Sequence, residues 1–126
     1  MNEAIDYAVV DGVATLTLNS PAKLNAFDAA RLLALRHALD RAENDDSVRV
    51  VVLTGAGKVF CAGADLKGRA ENIKAPGDMM AHARRTRECF HAIRECAKPV
   101  ICAINGAALG SGLAMVASSD ILICSD

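Results

Sequence analysis

Phe60-Cys61-Ala62-Gly63-Ala64-Asp65-Leu66 and Asn105-Gly106-Ala107-Ala108-Leu109-Gly110-Ser111-Gly112 decide the reading of this chain. Each is a glycine-rich turn fed by an apolar strand. Val48 to Thr54 leads into the first through Gly55-Ala56-Gly57-Lys58, and Val100 to Ile104 leads into the second. A helix-length stretch separates them. A turn of this kind can leave one backbone N–H free, and two N–H groups aimed at one point stabilise a carbonyl oxygen that is acquiring negative charge. Either turn alone is a weak signal, because glycine-rich strand-to-helix turns recur throughout α/β proteins. The pair carries the information.

Working outward, periodicity separates the other elements. Ile5 to Val10 and Val13 to Asn19 flank Asp11-Gly12, a tight-hairpin signal. Asp28 caps a helix expected to run to about Asn44, with Leu32, Leu35, Leu39 and Ala42 on one face. Val48 to Leu53 is apolar and β-branched, the composition of a strand buried on both faces. Met79, Ala83, Thr86, Phe90, Ile93 and Ala97 recur at steps of four and three, giving a long helix that ends before Pro99. A second buried strand at Val100 to Ile104, a short helix from Gly112 to about Ser118 and a strand beginning at Ile121 to Cys124 complete the list. Gly68 to Pro76, polar and ending in Ala75-Pro76-Gly77, reads as a mobile loop. A hairpin followed by alternating strands and helices predicts an α/β fold with a largely parallel sheet. Ligand chemistry in such sheets gathers at the carboxyl ends of strands, where both glycine turns fall.

Composition sets the outer bounds. The chain has 126 residues, 52% of them hydrophobic, enough for one domain with its own core. A net charge of −1 points to neither nucleic acid nor an anionic membrane as partner. The longest apolar stretches, Val50 to Leu53 and Val100 to Ile104, are far shorter than a membrane span. Met1-Asn2-Glu3-Ala4 lacks the basic region and apolar run of a secretion signal. Five cysteines, an odd number without C-x-x-C spacing, are read most simply as reduced thiols in a cytoplasmic protein. No His, Cys and carboxylate cluster has metal-ligand spacing, and Met115 stands where a third dinucleotide-binding glycine belongs. The expectation is no metal and no redox cofactor.

The two turns together resemble those of the crotonase superfamily, the enoyl-CoA hydratase/isomerase group, with its "FCAGADL"-like and "AINGxAxGxG"-like segments. Pro21-Ala22-Lys23-Leu24-Asn25-Ala26-Phe27 is similar to the family's "P-x-x-x-N-A-L/F" segment. The resemblance covers residues from about 5 to 126. It implies a ββα-repeat spiral and an acyl-CoA thioester as substrate, with coenzyme A entering as part of that substrate and no separate cofactor. It implies that the backbone N–H groups of Ala64 and Ser111 are the oxyanion donors, with the positive end of the following helix facing the same oxygen. It also implies main-chain contacts to coenzyme A from Lys23, Leu24 and Ala26, and from Ala62, Asp65, Leu66 and Lys67.

Competing chemistries fare poorly. A nucleophile elbow, Gly-x-Ser-x-Gly, needs glycines at 109 and 113, where Leu109 and Leu113 stand. His37 and His91 fall within helical stretches and read as surface or packed residues; His82 has the better chance of lining a pocket. Cys61, among small apolar neighbours with no adjacent histidine, reads as packing rather than as a nucleophile. Asp65, just ahead of Leu66-Lys67, fits a helix or turn cap better than a general base.

Hydratases of this family carry a glutamate two residues after the last glycine of the second turn. Ala114 occupies that place here. Hydration needs one group to activate water and one to manage the α-proton. The resemblance therefore implies an isomerase-type reaction run by a single acid beyond Asp126, with hydratase second and a non-catalytic acyl-CoA binder or assembly subunit as the alternative. It further implies that residues 1–126 are the amino-terminal core of a longer enzyme, inactive alone, lacking carboxyl-terminal helices that build a homotrimer or a dimer of trimers.

Overall fold

The computed structural model describes residues 4–126; the reading of Met1-Asn2-Glu3 lies outside the described residues. β1 (Ile5–Val10) and β2 (Val13–Leu18) form an antiparallel hairpin. Its turn places Asp11 at φ 50° and Gly12 at φ 81°, the paired left-handed conformations of a type I′ turn. β3 (Val50–Gly55), β5 (Val100–Ile104) and β7 (Ile121–Cys124) add in parallel, so the main sheet runs β1-β2-β3-β5-β7. The largely parallel α/β fold expected from the sequence is the one observed.

Two short strands that periodicity did not reveal make a second, two-stranded sheet: β4 (Val59–Cys61) beside β6 (Ala107–Ala108). Each follows a main-sheet strand after a few residues, so β3-β4-helix and β5-β6-helix repeat one plan. This is the ββα spiral.

The helices follow their capping and burial patterns. Asp28 caps α1 (Ala29–Asn44), its carboxylate accepting from the Arg31 N–H at 2.8 Å. Leu32, Leu35, Ala38, Leu39 and Ala42 of α1 are buried together, the apolar stripe of a helix with one covered face. That stripe packs against α3 (Pro76–Arg94) and the hairpin strands. Pro76 sits at the first position of α3, where its missing N–H costs no hydrogen bond. The Asp78 carboxylate accepts from the Lys74 and Ala75 N–H groups ahead of it. α4 (Ser111–Ser118) closes the last repeat.

Three expectations are corrected. The polar segment from Gly68 is not a loop throughout: α2 (Leu66–Asn72) covers its first half. Asp65 nucleates that helix by accepting from the Gly68 N–H at 3.0 Å, and the Asn72 side chain donates to the Gly68 carbonyl at 2.7 Å. β3 is fully buried on one face, at Val51 and Leu53, and only half-buried at Val50 and Val52. β5, expected as a second buried strand, is likewise buried at Val100 and Cys102 and only half-buried at Ile101, Ala103 and Ile104.

Candidate active site

The first glycine turn leaves β4 and meets the Pro21–Phe27 segment. Phe27 donates its N–H to the Gly63 carbonyl at 2.7 Å and accepts from the Asp65 N–H at 2.7 Å, a parallel bridge around Ala64. In such a bridge the bracketed residue points its own N–H away from the partner strand. The Ala64 N–H has no protein acceptor among the described residues.

The second turn packs onto the first. Leu109 donates to the Cys61 carbonyl at 2.9 Å, and Gly112 donates back to the Leu109 carbonyl at 2.9 Å. Gly110 bends the chain at φ 53°, and Ser111 then begins α4. Its N–H is one of the orphan donors of a helix start and has no protein acceptor among the described residues. Contact between the turns depends on glycine. A methyl group on Gly63, itself at φ 96°, would lie 2.9 Å from the Leu109 carbonyl oxygen and 3.4 Å from the Ser111 nitrogen. A methyl on Gly112 would lie 2.5 Å from the Cys61 carbonyl oxygen.

Ala64 and Ser111 border one cleft of about 740 Å³, together with Gly63 and Gly110. Phe27, Leu32, Leu66 and Phe90 supply apolar wall, and Arg69, Arg87 and Arg94 supply charge. Of the residues expected to contact coenzyme A, Ala62 and Leu66 line the cleft, whereas Lys23, Leu24, Ala26, Asp65 and Lys67 do not. Several of those five lie on a rim tied to the first turn. Ala62 donates to the Leu24 carbonyl at 3.0 Å, and the Lys23 ammonium stands 3.9 Å from the Asp65 carboxylate. The hydrogen bond from the Gly68 N–H, with the Lys23 charge adding to it, holds the Asp65 carboxyl below the usual carboxylate range. Asp65 is thus committed as a cap, as its position in the sequence implied.

Both His82 and His91 border the cleft, His91 as the exposed surface residue that the sequence suggested. His82, Thr86 and Phe90 follow one another at steps of four on α3, and His91 lies half a turn round the helix from His82. Burial, together with the charges of Arg69 and Arg85, lowers the pKa of His82. His91 stands 3.5 Å from Glu95.

Cys61 is fully buried, its thiol 3.2 Å from the Asn25 carbonyl, and burial raises its pKa. Burial also pushes the Cys89 thiol up to about 12 and that of Cys102 up to about 11. Thiols held protonated in the fold contribute stability that is complete below the unfolded thiol pKa of about 8.5 and is lost as pH climbs through the raised values. The urea midpoint should therefore fall between pH 8 and pH 10.5. At pH 8, iodoacetamide should modify exposed Cys124 and spare Cys61, Cys89 and Cys102, as read by peptide mass spectrometry.

Sequence reasoning missed the side chain that holds the turn region together. Asn25, 1% exposed, accepts from the Ser20 N–H at 2.9 Å. It also donates to the carbonyls of Ala56, Val59 and Phe60 at 2.9, 2.9 and 3.1 Å. Asn105 plays a parallel part, accepting from the Gly55 N–H and donating to the Gly57 carbonyl. The Pro21–Phe27 segment marks Asn25 as a fixed position, but says nothing of its amide being buried. Among the described residues, no group of three His, Cys, Asp or Glu side chains is arranged to hold a metal ion, and no helix is long and apolar enough to cross a membrane.

The sequence pattern of the enoyl-CoA hydratase/isomerase family matches residues 9–126. The chain is 41% identical over 125 residues to 1,2-epoxyphenylacetyl-CoA isomerase of Escherichia coli, covering 98% of this chain and 48% of that protein. It is 42% identical over 121 residues to 4-chlorobenzoyl coenzyme A dehalogenase-2 of Arthrobacter, covering 92% of this chain and 43% of that one. A solved enoyl-CoA hydratase/isomerase from Xanthobacter autotrophicus superposes with a TM-score of 0.93 at 31% identity, covering 98% of this chain and 46% of that chain. The chain spans about half the length of the curated relatives it matches.

Proposed function

The chain belongs to the enoyl-CoA hydratase/isomerase family, and from that premise we propose that it carries the oxyanion hole of an acyl-CoA enzyme of isomerase type. The observation that supports the reading is a pair of backbone amides, Ala64 and Ser111, that border one cleft and have no protein acceptor among the described residues. A thioester oxygen placed between them would accept both hydrogen bonds, each near 3 Å. The charge that grows on it as the α-proton leaves would be met by donors already in position. The α4 dipole, with Ser111 at its positive end, adds to the same field.

Among the described residues the cleft wall holds no carboxylate, its proton carriers being His82 and His91, and the reading assigns the proton to a single acid that these residues do not include. One carboxylate suffices to take a proton from the α- or γ-carbon and return it to the other while the dienolate oxygen stays in the hole. Hydration also needs an oriented water. Ala114, exposed on α4, has no group to orient or deprotonate one. The relatives named as isomerase and dehalogenase show that the scaffold serves thioester chemistries other than hydration. We further propose that the enzyme is a homotrimer or a dimer of trimers. The five free cysteines suit a reducing, cytoplasmic setting.

Assay of the enzyme with a 3-enoyl-CoA and with crotonyl-CoA tests the reading. Isomerisation should outrun hydration by about 10²-fold or more, the usual contribution of a missing acid–base group. Ala114→Glu should raise hydration at least tenfold. Rapid crotonyl-CoA hydration by the unaltered enzyme, with no isomerisation, would favour the hydratase reading; binding without turnover of either thioester would favour a non-catalytic acyl-CoA binder.

A further inference from the structure

Arg31, in the first turn of α1, stands outside the cleft wall yet grips the segment that brackets Ala64. Its side chain is 15% exposed, and every bond it makes is to that segment or its helix cap. Nη1 donates to the Ala26 carbonyl at 3.1 Å and to the Asp28 carboxylate at 2.9 Å, and Nη2 donates to the Ser20 hydroxyl at 2.9 Å. Ala26 and Asp28 are the neighbours of Phe27, so one guanidinium holds the chain on both sides of that residue. A planar fork with donors at fixed angles suits several acceptors at once.

Peptide planarity carries that grip to the cleft. The Ala26 C=O and the Phe27 N–H belong to one trans peptide and point in opposite directions. Fixing the oxygen on Arg31 aims the N–H, which donates to the Gly63 carbonyl at 2.7 Å. The Gly63 C=O and the Ala64 N–H form the next such peptide. Gly63, without a side chain and at φ 96°, gives it little restraint of its own. Holding the Gly63 oxygen turns the Ala64 N–H away from Phe27, the direction in which it has no protein acceptor among the described residues. Building on the oxyanion reading above, we propose that Arg31 is a positioning residue that sets the direction of the Ala64 N–H through these two hydrogen-bonded peptides. Asp28 shares the guanidinium charge, so the relay transmits orientation first. Hydrogen-bonded groups in a row also polarise one another, which strengthens the last donor. The Ser111 N–H needs no such brace, being directed by α4 itself.

The test compares the unaltered enzyme with Arg31→Met and Arg31→Lys in three measurements: turnover of a 3-enoyl-CoA, titration with free coenzyme A, and the infrared carbonyl stretch of bound crotonyl-CoA. In the unaltered enzyme the stretch should lie below that of free crotonyl-CoA. Arg31→Met should return it part of the way and lower kcat about tenfold, less than the roughly 10²–10³-fold cost of deleting a donor, since the amide is turned and not removed. Affinity for free coenzyme A should stay close to that of the unaltered enzyme. Arg31→Lys, whose ammonium can bond the Ala26 carbonyl without the fork, should fall between the two, and it carries the test where Arg31→Met does not fold. A lower melting temperature with kcat and the stretch unchanged would leave Arg31 a structural brace and overturn the proposal. Weaker coenzyme A binding with kcat and the stretch intact would overturn it too, assigning Arg31 to the Lys23–Ala26 segment. A stretch that does not move when crotonyl-CoA binds the unaltered enzyme would remove the oxyanion reading itself, and the proposal with it.

Discussion

Replacing Ser111 by proline should lower thioester turnover by about 10²–10³-fold, the usual cost of deleting one oxyanion donor, while the protein stays folded. The substitution is selective because of where Ser111 sits. It opens α4, and the first helical position tolerates proline well, since its N–H has no partner in the helix and its φ suits the ring. Gly110 before it lies at φ 53° and ψ −122°, outside the right-handed helical region that proline disfavours in its predecessor. Proline deletes the hydrogen on the Ser111 nitrogen and the hydroxyl, and its Cδ takes the hydrogen's place at the hole, so about 10²-fold is the least loss expected. Ser111→Ala is the matched control. Its side-chain oxygen is buried without a hydrogen-bond partner, so alanine removes an unsatisfied group and keeps the N–H. Turnover that falls equally in both variants, or that survives in Ser111→Pro, would show that this amide does not act on the thioester oxygen. Circular dichroism and thermal melts of the two variants separate lost chemistry from lost fold.

The second large effect is on stability. Asn25→Ala should destabilise the fold by on the order of 3–5 kcal/mol, because it strands several buried backbone groups at about 1–3 kcal/mol each, with partial compensation. Its amide nitrogen serves the carbonyls of Ala56, Val59 and Phe60, and its oxygen serves the Ser20 N–H, so one side chain links the Pro21–Phe27 segment to the β3–β4 connection. Asn25 is also held at φ 54°, beside Leu24 at φ 53°, a conformation that asparagine tolerates better than alanine. A chain of this size has about 5–15 kcal/mol in all. Urea unfolding should therefore show the midpoint falling by about a fifth or more. Asn25→Asp should do no better, since a carboxylate would face three carbonyl oxygens. A loss below 1 kcal/mol for the alanine variant would mean that water replaces the amide.

That network passed unnoticed in the sequence for the same reason that β4 and β6 did. Each is a product of segments distant along the chain. Three residues and two residues are too few for a period-two pattern to declare itself, and the strands exist because Val59 and Cys61 find Ala107 and Ala108 across the fold. α2 was obscured differently. Leu66 to Asn72 has no apolar stripe, and its glycine and charged residues read as loop; its definition comes from the Asp65 cap and its own hydrogen bonds. The inward face of α3 was partly legible, since Ala83, Thr86 and Phe90 of the expected stripe line the cleft, whereas nothing marked the histidines and arginines beside them.

The geometry of the turns could be read early, because it lives in backbone that small residues must permit. Gly63 and Gly112 are required by contacts that a single methyl would break, and a local constraint of that kind is written in residue identity. The Asp11-Gly12 hairpin and the Asp28 cap are local in the same sense: their hydrogen bonds span a few residues, so neighbours in sequence determine them. Which side chains surround the two amides is a matter of packing between segments twenty to eighty residues apart. Only the tertiary structure, by setting α3 opposite both turns, decided that arginines rather than carboxylates share the cleft with Ala64 and Ser111. Electrostatic surroundings depend on distance through space, and distance through space is not carried by any short stretch of sequence.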